Sequence, residues 1–185
     1  YPLENLTKEQ QITYQIVMDY IETVPYLDKK KVAVCGHSRL GKTALWCKAQ
    51  DPRFYIAFGN DSNYGGGGLI RGHIGEDIPL FLEIGSFDFF CEGWKDFLDV
   101  PHEELPFDQH FLMACHAPGL VYLAGATKDT EMDPKSEFLS CCAASEVYKM
   151  LGKQGLVHGG EMPQAGEALH EGSIGFHIRE GGHAF

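Results

Sequence analysis

The sequence predicts an α/β domain built around a mostly parallel sheet. Helical and strand-like segments alternate over residues 7–58 in the order helix, strand, helix, strand, the succession that parallel pairing with helical crossovers produces. The strand-like segments are short apolar runs bounded by glycine, proline or charged residues. Polar residues suited to chemistry follow directly on those runs, where an open α/β sheet collects functional groups at its carboxyl edge.

Thr7 to Thr23 reads as the first helix. Thr7-Lys8-Glu9-Gln10 opens it as a capping box, and Ile12, Ile16, Val17, Tyr20 and Ile21 form its apolar face. Pro25 stops it. A strand from Lys31 to Cys35 follows, then a tight turn and a helix to about Gln50, where Asp51-Pro52 marks the end. Phe54 to Phe58 is a second, fully apolar strand.

Beyond Gly59 the regularity lapses. Gly65-Gly66-Gly67-Gly68 precedes a stretch rich in aromatics (Phe81, Phe87, Phe89, Phe90, Trp94, Phe97), too long and apolar for a plain loop. It reads as an insertion at about residues 65–106, partly helical and packed over the sheet. The four glycines fit either a flexible linker or a close approach of backbone to a site. Order returns with a helix around Asp108 to His116, a strand from Leu120 to Ala124, and a long helix from Pro134 to Leu151 with proline in its first turn. The tail holds one strand, Gly175 to Ile178, followed by Arg179-Glu180-Gly181-Gly182-His183.

A chain of 185 residues supports one hydrophobic core and is expected to form a single domain. Its formal net charge of -11 argues against a nucleic-acid partner and against an anionic membrane surface. No apolar run approaches the ~20 residues of a membrane span, and no basic segment followed by an apolar one suggests a signal peptide. The six cysteines contain no C-x-x-C pair, so buried free thiols are expected rather than zinc or disulfides. His73, His102, His110, His116, His158, His170 and His177 lack a second ligand at helical or strand spacing, so no metal and no cofactor is expected. His37 reads as a packing or hydrogen-bonding neighbour of the turn.

Two chemistries are compatible with that turn. Gly36-His37-Ser38-Arg39-Leu40-Gly41-Lys42-Thr43 fits G-x-x-x-x-G-K-[ST], a loop that cradles phosphates. The same residues fit, imperfectly, a serine raised on a strained strand-to-helix turn, since Gly41 stands three residues after Ser38 instead of two. Four polar groups end predicted strands: Ser38, Asp61, Asp129 and His183. Serine, acid, histidine is the order of an α/β-hydrolase triad, in which imidazole takes the serine proton and carboxylate fixes the tautomer. A phosphate site would use Gly36, Lys42 and Thr43, with Asp61 on the magnesium side, and would leave Asp129 and His183 without a task. A nucleotide-binding protein and a non-catalytic hydrolase-like module are the alternatives.

Gly36-His37-Ser38-Arg39-Leu40-Gly41-Lys42 resembles the G-[CH]-S-R-x-G-K signature of glucuronoyl esterases, carbohydrate esterase family 15, especially its bacterial branch. The likeness continues through Asn60-Asp61-Ser62, Gly75-Glu76, Leu105-Pro106-Phe107-Asp108-Gln109-His110, Asp133-Pro134-Lys135-Ser136-Glu137-Phe138 and Gly182-His183. It implies a secreted or periplasmic α/β-hydrolase, a three-layer sandwich, that cleaves esters of 4-O-methylglucuronic acid between glucuronoxylan and lignin. By this resemblance Ser38 matches the nucleophile, His183 the base, Arg39 the oxyanion stabiliser, and Lys42 and Glu76 the contacts to the sugar. Glu131 stands where many bacterial relatives line the sugar pocket with tryptophan. The resemblance begins at a mid-domain helix, so a partial catalytic domain, incomplete on its N-terminal side, is expected. Both family positions for the acid carry aspartate, Asp61 and Asp129. Asp61 is one methylene shorter than the glutamate usual at its position, so Asp129 is expected to be the main partner of His183, with Asp61 tuning the charge or holding the loop.

Overall fold

Strands whose crossovers are helical satisfy their backbone groups by pairing in parallel, and four of them do so here. The computed structural model describes residues 6–83, 85, 90, 92–97 and 99–185, with side chains from residue 12 onward except at 78 and 92. Strands β1 (Ala33–His37), β2 (Ile56–Asn60), β3 (Leu120–Ala126) and β5 (Ile174–Arg179) lie side by side in parallel. A short strand absent from the sequence expectations, β4 (Ala168–Leu169), pairs antiparallel with β5 at the far edge. The helices are α1 (Leu6–Thr23), α2 (Arg39–Gln50), α3 (Ile78–Glu83), α4 (His110–Ala114) and α5 (Pro134–Met150).

Register puts Val34, Ala57, Val121 and Ile174 in one row, and Gly36, Gly59, Leu123 and Phe176 in another. Residues two apart share a sheet face, so both rows point the same way. There they meet Leu45, Phe138, Cys141 and Tyr148 from α2 and α5, and Met18 from α1, in the main core. On the opposite face Cys35 and Phe58 are exposed, Tyr122 and His177 are half-buried, and Phe58 contacts Tyr122 with ring centroids 5.5 Å apart. Among the described residues the sheet and one helical layer of the expected sandwich are formed, and no helix covers this second face.

The apolar stripe expected to bury α1 turns outward instead. Ile12, Ile16, Val17 and Tyr20 are exposed, and the helix docks through Met18, with Tyr14 against the core. On its polar side the helix meets Arg53, which pairs with Asp19 at 2.6 Å and Glu22 at 2.9 Å. The capping-box side chains lie outside the described residues. At α5, Asp133 caps the helix through Ser136 N (3.2 Å) with Pro134 in its first turn.

The four glycines are a close approach and not a linker. A β-carbon on Gly67 would stand 2.5 Å from Leu123 Cδ1, and one on Gly68 would stand 2.3 Å from Asn63 Oδ1. The insertion that follows makes its own apolar cluster around Tyr64, Ile70, Phe81, Phe90 and Leu105, with Trp94 and Phe97 against it. Phe87 and Phe89 lie outside the described residues. Among the described cysteines Cys47 and Cys141 are buried as expected and Cys142 is half-buried, whereas Cys35, on the uncovered sheet face, and Cys115, at the end of α4, are exposed; Cys91 lies outside the described residues.

Among the described residues β1 has no partner on its outer side, and an apolar sheet face beside such an edge favours self-association. The 185-residue chain by itself is expected to sediment as oligomers or aggregates, and Phe58→Lys to shift it toward monomer. A monomeric wild-type chain would contradict this.

Candidate active site

A single residue, Ser38, separates the end of β1 from the start of α2. Its φ of 56° and ψ of −128° lie in a region that side chains rarely adopt. Hydrogen bonds hold it there: Ser38 N donates to Asn60 O at 2.9 Å, and Ser38 O accepts from Gly41 N at 2.8 Å. Gly36 makes the turn sterically feasible, since a β-carbon there would lie 2.0 Å from Leu40 O. The phosphate-loop alternative falls on this geometry. Residues 39 and 40, which should still be loop around a phosphate, are already helix. Lys42, the residue that would reach the phosphates, is buried, donating to Ser62 O at 2.6 Å and Glu76 Oε2 at 3.0 Å.

The loops after β3 and β5 are laced together. Thr127 N donates to Arg179 O at 2.9 Å, and Lys128 N to Gly181 O at 2.8 Å. Asp129 follows on one loop and His183 on the other, and His183 Nδ1 lies 2.6 Å from Asp129 Oδ2. An imidazole so held presents Nε2 away from the carboxylate. The His37 ring packs beside that of His183, centroids 4.4 Å apart. Burial, followed by the nearby His183 and Arg179, lowers the pKa of His37 and favours its neutral form.

Asp61 has a different environment. It is fully buried with φ of 46°, and its Oδ2 accepts from Arg179 Nη2 at 2.5 Å and Asn60 Nδ2 at 2.9 Å. Burial pushes its carboxyl up to about 6, against the pull of Arg179. Donor atoms of His37, Asp61 and His183 lie within 4.8 Å of one another, a grouping that invites a metal. Arg179, however, already places a cation on the Asp61 oxygen nearest His37, 3.6 Å from its Nδ1.

The remaining predicted residues lie around α2 and the loop after β2. Arg39 is exposed and supplies the first helical residue after Ser38. Burial lowers the pKa of Lys42, and Glu76 offsets part of that. Glu131 is exposed, but its backbone carbonyl accepts from Glu76 N (3.1 Å) and Asn63 Nδ2 (3.0 Å). Gly75, with φ of +90°, permits this contact, because a β-carbon would stand 2.2 Å from Glu131 O. Glu131 thus carries the Glu76 segment through its backbone.

Three residues in this network escaped the sequence analysis as functional candidates. Asn60 Nδ2 lies within reach of His37 Nδ1 (2.7 Å), Asp61 and Ala184 O (3.2 Å). Glu137 Oε1 accepts from Ser62 N, Ser62 Oγ and Asn63 N at 2.8–3.0 Å. Arg179 is the third. The signals for them were slight: Asn60 adjoins Asp61, and Arg179 opens the run to His183.

The model for "Glucuronyl esterase, fungi" matches residues 12–152. This chain belongs to the glucuronoyl esterase family. A carbohydrate esterase from an unknown prokaryotic organism is 42% identical over 166 residues, 90% of this chain and 38% of its own length. A 4-O-methyl-glucuronoyl methylesterase of Schizophyllum commune is 32% identical over 74% of this chain and 36% of its own. The solved structure of a promiscuous family 15 esterase from a marine bacterial metagenome superposes with a TM-score of 0.87 at 40% identity, covering 94% of this chain and 43% of that one. The chain therefore spans less than half the length of these relatives. Its parallel sheet has the α/β-hydrolase fold of the family. No helix among the described residues is long and apolar enough to cross a membrane.

Glu137 lends the loop after β2 a pH dependence. Burial pushes its carboxyl up to about 8, against the hydrogen bonds from Ser62 and Asn63, whereas the unfolded chain ionises near 4.5. Between those values the folded state binds the extra proton, so this contribution to stability is complete below 4.5 and is lost as pH rises through 8. Glu137→Gln removes that dependence. Its melting temperature relative to wild type is expected to climb between pH 5 and 9, and a constant difference would contradict the assignment.

Proposed function

We propose that this chain carries the catalytic residues of a serine ester hydrolase acting on 4-O-methylglucuronic esters that join glucuronoxylan to lignin alcohols. The observation that carries the reading is the His183–Asp129 hydrogen bond of 2.6 Å at the sheet edge that also bears the Ser38 turn. Family membership supports the substrate class, since relatives bear the name 4-O-methyl-glucuronoyl methylesterase.

In this mechanism Ser38 Oγ attacks the ester carbonyl and His183 Nε2 takes its proton. Asp129 keeps the His183 proton on Nδ1 and stabilises the imidazolium that forms. Arg39, at the start of α2, stabilises the oxyanion through its amide and guanidinium. The alcohol leaves with the proton from His183, and water, deprotonated by His183, releases the glucuronic acid from Ser38. Glu76 binds the sugar hydroxyls, with Glu131 at the rim of the same pocket, and the buried Lys42 contributes by holding Glu76 through their 3.0 Å pair. Asp61 takes no direct part in the proton transfer. An insoluble polymer cannot enter a cell, so such an enzyme would act outside the cytoplasm, and neither nucleic acid nor membrane is required as partner.

In the intact protein, Ser38→Ala is expected to abolish hydrolysis of benzyl glucuronate. Asp129→Asn should lower kcat by about 10⁴, as loss of the correct tautomer does, and Asp61→Asn by less. The reverse ranking would place the acid at position 61. Glu76→Gln is expected to raise KM for the glucuronate ester roughly tenfold or more, the scale of a hydrogen bond to a charged group, while hydrolysis of p-nitrophenyl acetate stays unchanged. Equal losses on both substrates would remove Glu76 from sugar binding.

A further inference from the structure

Arg179 ends β5, four residues before His183, and its guanidinium makes three contacts that converge on the histidine loop. Nη1 donates to Gly182 O at 3.0 Å, Nη2 donates to Ala184 O, and Nη2 also donates to the buried Asp61 Oδ2 at 2.5 Å. Gly182 and Ala184 flank His183, so one planar group grips the backbone on both sides of the imidazole-bearing residue. Asn60 adds a second donor to Ala184 O. Asp61 is itself fixed, because its amide donates to Ala124 O of β3 at 2.7 Å. The chain reverses at Gly181, with φ of +126°, and bonds from Thr127 and Lys128 secure it only as far as residues 179 and 181.

We propose that Arg179 is a positioning residue, whose guanidinium fork, anchored on Asp61, holds the carbonyls either side of His183 and thereby places the imidazole for its work with Ser38 and Asp129. Guanidinium suits this task and ammonium does not: its donors are fixed in one plane and span two acceptors while a third is paired, whereas lysine offers a single mobile point charge. Asp61 then acts through Arg179. This gives a reason for a fully buried carboxylate that is bonded to arginine and asparagine while Asp129 contacts the histidine.

The inference rests on the serine-hydrolase reading, so two independent readouts are needed. The first is kcat for benzyl glucuronate per site titrated with a fluorophosphonate, below the melting temperature of each variant. Arg179→Lys, which keeps the charge but not the fork, is expected to lower kcat up to about 100-fold, the scale of a 1 Å misplacement, with KM changed less than about threefold. The second is the proton NMR resonance of His183 Nδ1–H, which should shift or broaden in Arg179→Lys without any substrate present. Asp61→Asn, which keeps the side-chain volume and weakens the anchor, should move the same resonance in the same direction, and it serves as the test should Arg179→Lys not fold. Wild-type kcat per titrated site in Arg179→Lys, or an Nδ1–H resonance that stays in place in the folded variants, overturns the proposal. If wild-type protein shows no Ser38-dependent hydrolysis, the hydrolase reading fails instead, and the resonance still reports whether Arg179 holds His183.

Discussion

The contact on which the site depends is between the backbone of α2 and the bare backbone of β1 at Gly36. Leu40 O occupies the place where any β-carbon on Gly36 would lie, so the helix begins one residue after the strand ends. Ser38 is left to absorb the whole change of direction in a single unfavourable φ/ψ pair. Gly41 continues the approach, with its β-carbon position 3.1 Å from Ser62 Cβ and 3.2 Å from Asn60 O. That brings Lys42, the next residue, to the carbonyl of Ser62. The close start of the helix therefore raises the serine above the sheet edge and also delivers a buried cation to the loop after β2.

That loop concentrates groups that are costly to bury. Asp61, Asn63, Lys42 and Glu137 are all buried, and each unpaired charge in such a place would cost several kcal/mol. Mutual pairing offsets part of that cost, although Asp61 Oδ1 and Glu137 Oε2 are buried without a hydrogen-bond partner among the described residues. Glu137 gathers three donors from Ser62 and Asn63, Lys42 pairs with Glu76 and Ser62, and Asp61 takes Arg179 and Asn60. The positive φ at Asp61 and Asn63 belongs to the same economy of space, because the chain must turn sharply to offer its amides to Glu137. Strain and buried charge thus lie together at the carboxyl edge of the strands, where the candidate site stands, while the core under α2 and α5 is apolar.

Most of the elements were legible because their causes are local. Pro25, Asp51-Pro52 and Pro134 bound helices by sterics within a few residues, and the apolar runs of β1, β2 and β3 need no partner to be recognised. The orientation of α1 was not legible. Periodicity identifies an apolar stripe but not what it faces, and the contacts of Met18 with its core neighbours and of Asp19 and Glu22 with Arg53, more than 30 positions away, are not local. The four glycines were ambiguous for the same reason: a linker and a close approach share a composition, and only the neighbouring Leu123 and Asn63 distinguish them.

The sequence by itself determined the kind of fold, the serine turn and the order of serine, acids and histidine, since these follow from residue type, spacing and strand ends. Tertiary structure decided the remainder. Whether Gly36 to Thr43 forms an open phosphate loop or a one-residue elbow depends on how closely helix and strand approach, which no consensus pattern encodes. Which carboxylate touches His183 depends on how the loops after β2, β3 and β5 are laced. Arg179 reaches Asp61 across 118 positions of sequence, and Asn60 reaches Ala184 across 124. Contacts at such separations exist only once the parallel sheet has set strand ends side by side, and for that physical reason they leave no mark in local pattern.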